Sequence, residues 1–226
     1  MNFFIDFKKN GIFTTVKVTN AIPLFLELHL KRLGIENKKE LVLQKTASFQ
    51  KENKKASFAL KIIVEHGDIL FETRELPTNG VISAILYKSK KLLPVVKQID
   101  RTIYEKAQQK AQKCNAQEGI FVNKNYILET TIANLVSEEK GQLITPTITN
   151  QGLKGITRQI LLNSGQVIEK DIPISTEYPL VAVNSLRIMQ IEKIDNKKLP
   201  SAKSLFVQVA EILRRAEEEY ANSYNR

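Results

Sequence analysis

The chain has 226 residues, 42% of them apolar and 26% charged, with a formal net charge of +10, a single cysteine and no tryptophan. A chain of this size buries a substantial core as one large domain or two small ones, and two lobes are expected. No apolar run approaches the roughly 20 residues of a membrane-spanning helix, the opening Met1-Asn2-Phe3-Phe4 lacks the pattern of a secretory signal, and one cysteine cannot form an internal disulfide; a soluble protein of a reducing cytoplasm is the expectation.

Taken in chain order, residues 11–18 are rich in β-branched and aromatic side chains and read as a strand, followed by a turn at Pro23. Leu24, Leu28 and the basic pair Lys31-Arg32 fall at helical spacing, with Gly34 to stop the helix and Arg32 at its C-terminal end. Residues 38–54 predict a lysine-rich helix, residues 57–64 and 69–76 a hairpin around His66-Gly67-Asp68, and residues 81–87 a further strand. Residues 88–96 pass from basic to apolar and include Pro94, which restricts the backbone before Lys97. The expected organisation is therefore a small N-terminal αβ lobe (1–87), a connection (88–96) and a larger C-terminal αβ lobe (97–226).

From Asp100 the apolar residues Ile99, Ile103, Ala107, Ala111 and Cys114 mark the buried stripe of a helix, which makes Cys114 a small core residue instead of a nucleophile. Short strands at 119–122, 126–129, 134–137 and 142–145 predict a meander, and a helix over 157–163 starts at Gly155-Ile156-Thr157. Residues 167–173 are strand-like, residues 180–184 and 189–194 are later strands, and residues 202–220 form a terminal amphipathic helix. The fold class is α+β, a mixed αβ protein of two lobes, not a doubly wound sheet.

The basic charge is scattered in pairs such as Lys38-Lys39, Lys54-Lys55 and Lys197-Lys198 among polar turn residues, without aromatic platforms or a nucleic-acid motif. A solvated lysine-rich surface is expected, with no nucleic-acid partner and no membrane partner. The two histidines, His29 and His66, are too few and too separated for a metal site.

Gly155 before a helix exposes backbone N–H groups at the positive end of the helix dipole, and the Thr157 hydroxyl adds a donor, so this tract is either an anion seat or a plain turn. Asn184-Ser185 is either a second donor loop or an ordinary strand-ending turn, and Arg32 either reaches an anion as a fork of donors or caps its own helix. Glu129 ends an apolar strand; spacing alone favours the solvated side of the sheet over burial against a cation.

Taken together in their order, these residues resemble the class IV aminotransferase family, the fold-type IV pyridoxal-phosphate enzymes typified by D-amino acid aminotransferase. The resemblance runs from Asn10-Gly11-Ile12-Phe13-Thr14-Thr15 to Ile194-Asp195. Lys97-Gln98-Ile99-Asp100-Arg101, Ala116-Gln117-Glu118-Gly119-Ile120, Glu129-Thr130-Thr131-Ile132-Ala133-Asn134-Leu135, Gly155-Ile156-Thr157-Arg158 and Asn184-Ser185-Leu186 carry it, and the last looks like the branch acting on 4-amino-4-deoxychorismate. The resemblance implies that Lys97 holds pyridoxal 5'-phosphate as a Schiff base and moves protons, and that Glu129 faces the pyridine nitrogen. It also implies that Arg32, Ile156, Thr157 and Ser185 hold the phosphate, that Thr15, with Thr14 beside it, belongs to the catalytic set, and that Asn184 and Arg187 meet the substrate.

The implied reaction is a lyase step giving 4-aminobenzoate and pyruvate, in folate biosynthesis, by a homodimer acting on a small molecule. A branched-chain or D-amino acid aminotransferase of the same fold, or a diverged non-catalytic relative, are the other readings. Arg187 stands where the family is usually apolar, and only residues 1–10 precede Gly11, where the family usually has a longer tract.

Overall fold

The computed structural model describes residues 11–53, 56–149 and 151–224. The expectations placed on the tract before Gly11 and on Lys54-Lys55 lie outside the described residues. The described residues form two compact units: one of those within 11–77, 96–100 and 217–224, the other of those within 78–95 and 101–216.

In the first unit, β1 (Ile12–Thr19), β2 (Ile22–Pro23), β3 (Ser57–Glu65) and β4 (Asp68–Arg74) make an antiparallel sheet in the order β2-β1-β3-β4. The register places Thr14 opposite Ile62, Val16 opposite Leu60 and Val18 opposite Phe58. Side chains alternate across a strand, so Ile12, Thr14, Val16 and Val18 share one face. That face packs on α1 (Leu26–Leu33), whose Leu26, Leu30 and Leu33 follow one helical stripe, and on Val42 of α2 (Lys39–Asn53). A 3-10 turn, Glu36–Lys38, joins the two helices.

The ends of α1 are closed in different ways. Gly34 caps the C-terminus at φ 64°, with its N–H on the Leu30 and Lys31 carbonyls, a conformation that L side chains adopt only with strain. At the N-terminus no side chain of Phe25 caps the helix; the Leu26 N–H donates to the Tyr220 hydroxyl at 3.0 Å, and that hydroxyl donates to Glu27 at 2.7 Å. Tyr220 belongs to α5 (Lys203–Tyr224), whose residues from Glu217 onward belong to this first unit.

The second unit is built from β5 (Gly80–Lys88), α3 (Thr102–Lys113), β6 (Glu118–Asn123), β7 (Tyr126–Thr130), β8 (Asn134–Glu139), β9 (Gln142–Thr145), α4 (Ile156–Asn163), β10 (Val167–Glu169), β11 (Ile172–Pro173), β12 (Leu180–Val183), β13 (Ile188–Ile194), β14 (Lys197–Lys198) and most of α5. The strands run in the order β10-β9-β8-β12-β13-β5-β6-β7-β11, and β7 also pairs with β8. The path β8-β12-β13-β5-β6-β7 thus returns on itself as a six-stranded closed sheet, and the pair that closes it is Glu129 opposite Asn134.

Its interior is filled from all six strands by Ile82, Ala84, Ile120, Ile127, Leu135, Leu180, Ala182, Met189 and Ile191. The opposite face of β8, β12 and β13 presents Val136, Val181, Val183 and Ile188 to Leu161 of α4 and to Leu205, Val209 and Ile212 of α5. This two-sided burial explains why Leu180–Val183 reads as an unbroken apolar run.

The structure corrects three details of the sequence reading. Strand β5, placed with the N-terminal lobe, hydrogen-bonds in parallel to β13 and β6 of the second unit. Residues 167–173 are two strands, β10 beside β9 and β11 beside β7, because the chain leaves one edge of the sheet for the other at Lys170-Asp171. Cys114 is exposed: α3 ends at Lys113, Asn115 turns the chain at φ 53°, and Ala116 takes the buried position instead.

Candidate active site

In the first unit the chain around Lys97 is extended. Ile12 bridges Gln98, the Phe13 N–H donates to the Lys97 carbonyl at 2.9 Å, and the Ile99 N–H donates to the Gly11 carbonyl at 2.8 Å. The backbone groups of this segment are thus engaged with β1, and α3 starts only at Thr102. Because side chains alternate along β1, Phe13 and Thr15 share the face opposite Thr14. The Lys97 ammonium lies 4.8 Å from the Phe13 ring centroid, and Lys61, the cross-strand partner of Thr15, lies 5.4 Å from the same ring. Two cations against one aromatic ring mark this side of β1 as electropositive. Thr15 therefore shares a face with the ring that carries Lys97; Thr14 does not.

Thr14 is fully buried, and its hydroxyl lies 2.6 Å from His29 Nδ1. Burial first, then the nearby charges of Arg32 and Lys97, hold His29 well below the ordinary imidazole value, so it is neutral. Burial also pulls the Arg32 guanidinium down to about 10, still cationic at neutral pH. The first unit thus keeps a neutral histidine against Thr14 and two cations within reach of its field. The position of His29 on the buried stripe of α1, three residues before Arg32, is the sequence signal that locates it.

In the second unit Glu129 is 3% exposed, not on a solvated face as its spacing suggested. The Tyr104 hydroxyl donates to one carboxylate oxygen at 3.0 Å; the Leu153 N–H at 2.8 Å and the Asn134 amide at 3.4 Å serve the other. These donors make burial of the charge affordable. Tyr104 lies in turn beneath the Arg101 guanidinium, 3.8 Å from the ring centroid, and Arg101 donates to the Thr131 carbonyl. Burial and the charge of Glu129 push the Tyr104 phenol far up, so it stays a donor. None of Tyr104, Arg101 and Asn134 was read from the sequence as part of this cluster; the facing of Glu129 and Asn134 depends on the closing of the sheet.

The turn after Glu129 is fixed on three sides. Thr130 accepts the Ala133 N–H at 3.0 Å. The Thr131 hydroxyl contacts both Gln108, at 2.8 Å, and the buried Glu118, whose carboxyl is pushed up by burial. Asn184 reaches the Ile132 carbonyl at 3.3 Å.

Asn184 itself forms a local turn, its side-chain oxygen accepting the Leu186 and Arg187 N–H groups at 2.9 and 3.1 Å. Ser185 stands in this half-buried turn, and Arg187 reaches the Thr78 carbonyl at 3.4 Å.

Gly155 precedes α4 in an extended conformation, with no side chain capping the helix and no acidic residue in its first turn. The amides of Ile156 and Thr157 open this helix, and both residues are buried, at 3% and 5% exposure. A Cβ at Gly155 would lie 1.9 Å from the Asn134 side-chain oxygen, so only glycine permits this approach. Glu129 and the start of α4 are thereby tied through Asn134 and Leu153. A buried carboxylate joined to an uncapped helix N-terminus fits a ligand that combines a basic ring nitrogen with an anionic ester.

Residues 11–207 match the sequence model of the family described as amino-transferase class IV. Among curated proteins no sequence matches this one. Among solved structures, a fold IV-transaminase from Curtobacterium pusillum is 21% identical with a TM-score of 0.80, over 93% of this chain and 86% of that one. A candidate 4-amino-4-deoxychorismate lyase from Legionella pneumophila is 21% identical with a TM-score of 0.77, over 96% of each chain. The pyridoxal-phosphate-bound form of a hypothetical aminotransferase from Mycobacterium tuberculosis is 20% identical with a TM-score of 0.75, over 92% and 89%. At these identities the likeness is one of fold.

Proposed function

The chain belongs to the amino-transferase class IV family, and on that premise we propose that it is a pyridoxal-phosphate enzyme that cleaves 4-amino-4-deoxychorismate to 4-aminobenzoate and pyruvate. The observation that carries the cofactor reading is the buried Glu129, held by three donors and tied through Leu153 to the uncapped end of α4. What supports a lyase is Thr15, which alternation along β1 places on the same face as Phe13, the ring against which the Lys97 ammonium lies.

When bound, pyridoxal phosphate supplies an electron sink for the pair released as a proton leaves the amine-bearing carbon. Lys97 would hold the cofactor through Nζ and afterwards carry that proton. Glu129 accepts a hydrogen bond from the ring nitrogen and keeps its proton in place. The amides of Ile156 and Thr157, the Thr157 hydroxyl, Ser185 and Arg32 bind the phosphate. Thr15 donates a proton to the ether oxygen that departs with the three-carbon enol, and the ring left behind becomes aromatic, which drives the cleavage. Asn184 shapes the substrate-side turn, and Arg187 meets a substrate carboxylate. The working form is proposed to be a cytoplasmic homodimer.

The test is a coupled assay in which an aminodeoxychorismate-forming system feeds the purified protein and 4-aminobenzoate is measured. Production that disappears in Lys97→Ala, together with the visible absorption of the bound cofactor, is the expected result. Conversion of an amino acid to its keto acid with no 4-aminobenzoate would replace the lyase by an aminotransferase, and normal cofactor absorption in Lys97→Ala would overturn the lysine assignment.

A further inference from the structure

Asn134 sits at the one cross-strand pair that closes the sheet of the second unit, directly opposite Glu129. Cross-strand partners share a face, so its amide and the carboxylate necessarily meet. It is 5% exposed, and its Nδ2 group has two acceptors, the Glu129 carboxylate at 3.4 Å and the Leu153 carbonyl at 2.8 Å. Two acceptors on one nitrogen also settle which end of the amide is which: the oxygen faces the Cα of Gly155.

Leu153 is consequently held at both of its backbone groups. Its N–H donates to Glu129, and its carbonyl accepts both Asn134 and the N–H of Gly155, at 2.9 Å. Two residues beyond Leu153 lies Gly155, the cap of α4. The carboxylate and the helix N-terminus are therefore not independent features of the sheet. They are joined through one side chain and one peptide. Serine is too short to span both acceptors, aspartate has no N–H to give either, and only an amide of this length donates twice while leaving its oxygen against a glycine.

Resting on the cofactor reading above, we propose that Asn134 is a positioning residue that sets the distance between the Glu129 carboxylate and the phosphate seat at the start of α4. A ligand that spans both ends gains from this arrangement more than the sum of its halves, because the second contact becomes intramolecular once the first is made. Fixing the span removes the cost of aligning the two subsites at each binding event.

The test uses Asn134→Ala, Asn134→Asp, Gly155→Ala and the Asn134→Ala/Gly155→Ala pair in the full-length protein, with three probes: pyridoxal phosphate, pyridoxal without the phosphate, and inorganic phosphate. In Asn134→Ala, pyridoxal phosphate binding is expected to weaken roughly 10- to 100-fold, as for the loss of hydrogen bonds that include a charged partner, while each fragment changes by less than about threefold, as contacts within each subsite persist. Equal losses for all three probes would mean a structural role only, and no loss would remove the role altogether; either overturns the proposal.

Gly155→Ala supplies the second arm. With Asn134 present the added Cβ meets its oxygen, and pyridoxal phosphate affinity falls; in the pair variant that clash is gone. The pair is expected to bind no worse than Asn134→Ala alone, within about threefold, and additive losses refute the coupling. Asn134→Asp, near-isosteric but unable to donate, is expected to repeat the selective loss for the spanning probe, which keeps the test open if the alanine variant misfolds. If the unsubstituted protein binds no pyridoxal phosphate, the cofactor reading fails. The melting temperatures of the unsubstituted protein, Asn134→Ala, Gly155→Ala and the pair then decide the coupling, with rescue supporting it and additivity refuting it.

Discussion

Replacing Tyr104 with phenylalanine removes one hydrogen bond and little else. Tyr104 is 5% exposed; its ring stands edge-on to Phe121 at 5.2 Å and beneath Arg101 at 3.8 Å, and both contacts survive the substitution. What is lost is the hydroxyl that donates to Glu129 at 3.0 Å. A hydrogen bond to a charged partner contributes about 1.5–3 kcal/mol. Leu153 and Asn134 still serve the other oxygen of the carboxylate, which places the expected loss in the lower half of that range, about 1.5–2 kcal/mol.

The chain has no tryptophan, so urea unfolding is followed by far-UV circular dichroism. Four proteins complete a cycle: the unsubstituted chain, Tyr104→Phe, Glu129→Gln and the double variant. A coupling of about 1 kcal/mol or more between the two positions is expected. A loss below about 0.5 kcal/mol in Tyr104→Phe, or strict additivity in the cycle, would refute the view that the phenol holds the carboxylate.

Two further predictions concern the first unit. Folded His29 resists protonation, its affinity held well below the ordinary 6.5, whereas the unfolded chain takes up that proton as pH falls. Stability from this residue is therefore complete above 6.5 and lost below it, by up to about 1.4 kcal/mol per pH unit until the folded value is reached. In His29→Gln the slope of unfolding free energy between pH 6.5 and 5 is expected to flatten by that amount, and identical slopes would exclude a neutral buried imidazole. The two threonines of β1 should separate cleanly: Thr15→Val lowers kcat about 100-fold or more as a lost proton donor, with unchanged melting, while Thr14→Val lowers the melting temperature and leaves kcat within a few-fold. The reverse pattern would move the catalytic hydroxyl to Thr14.

Local patterns of the sequence carried much of the fold. The even-numbered residues Ile12, Val16 and Val18, the stripe Leu26–Leu30–Leu33, the glycine stop at Gly34 and the start of α4 after Gly155 each follow from a period or a cap that a short window contains. The same alternation sets Thr14 and Thr15 on opposite faces. The order of the motifs from Lys97 to Asn184 sufficed to indicate the family, since each is a short run whose residues need no knowledge of their neighbours in space.

Partnership between distant segments had no such local signal. Spacing left Glu129 on a solvated face because an alternating strand does not reveal what covers each side; burial came when β7 met β8 and closed a sheet whose other seams join β5 to β13 and β12 to β8. Strand β5 joined the second unit for the same reason, its partners lying late in the chain. Cys114 looked like core because the period of α3 was carried one residue past its end, onto the C-cap. By itself, then, the sequence determined the elements, their faces and the candidate cofactor residues. The tertiary structure decided which faces are interior and which residues, Asn134 and Tyr104 above all, hold Glu129, because those contacts exist only where strands remote in sequence are brought into register.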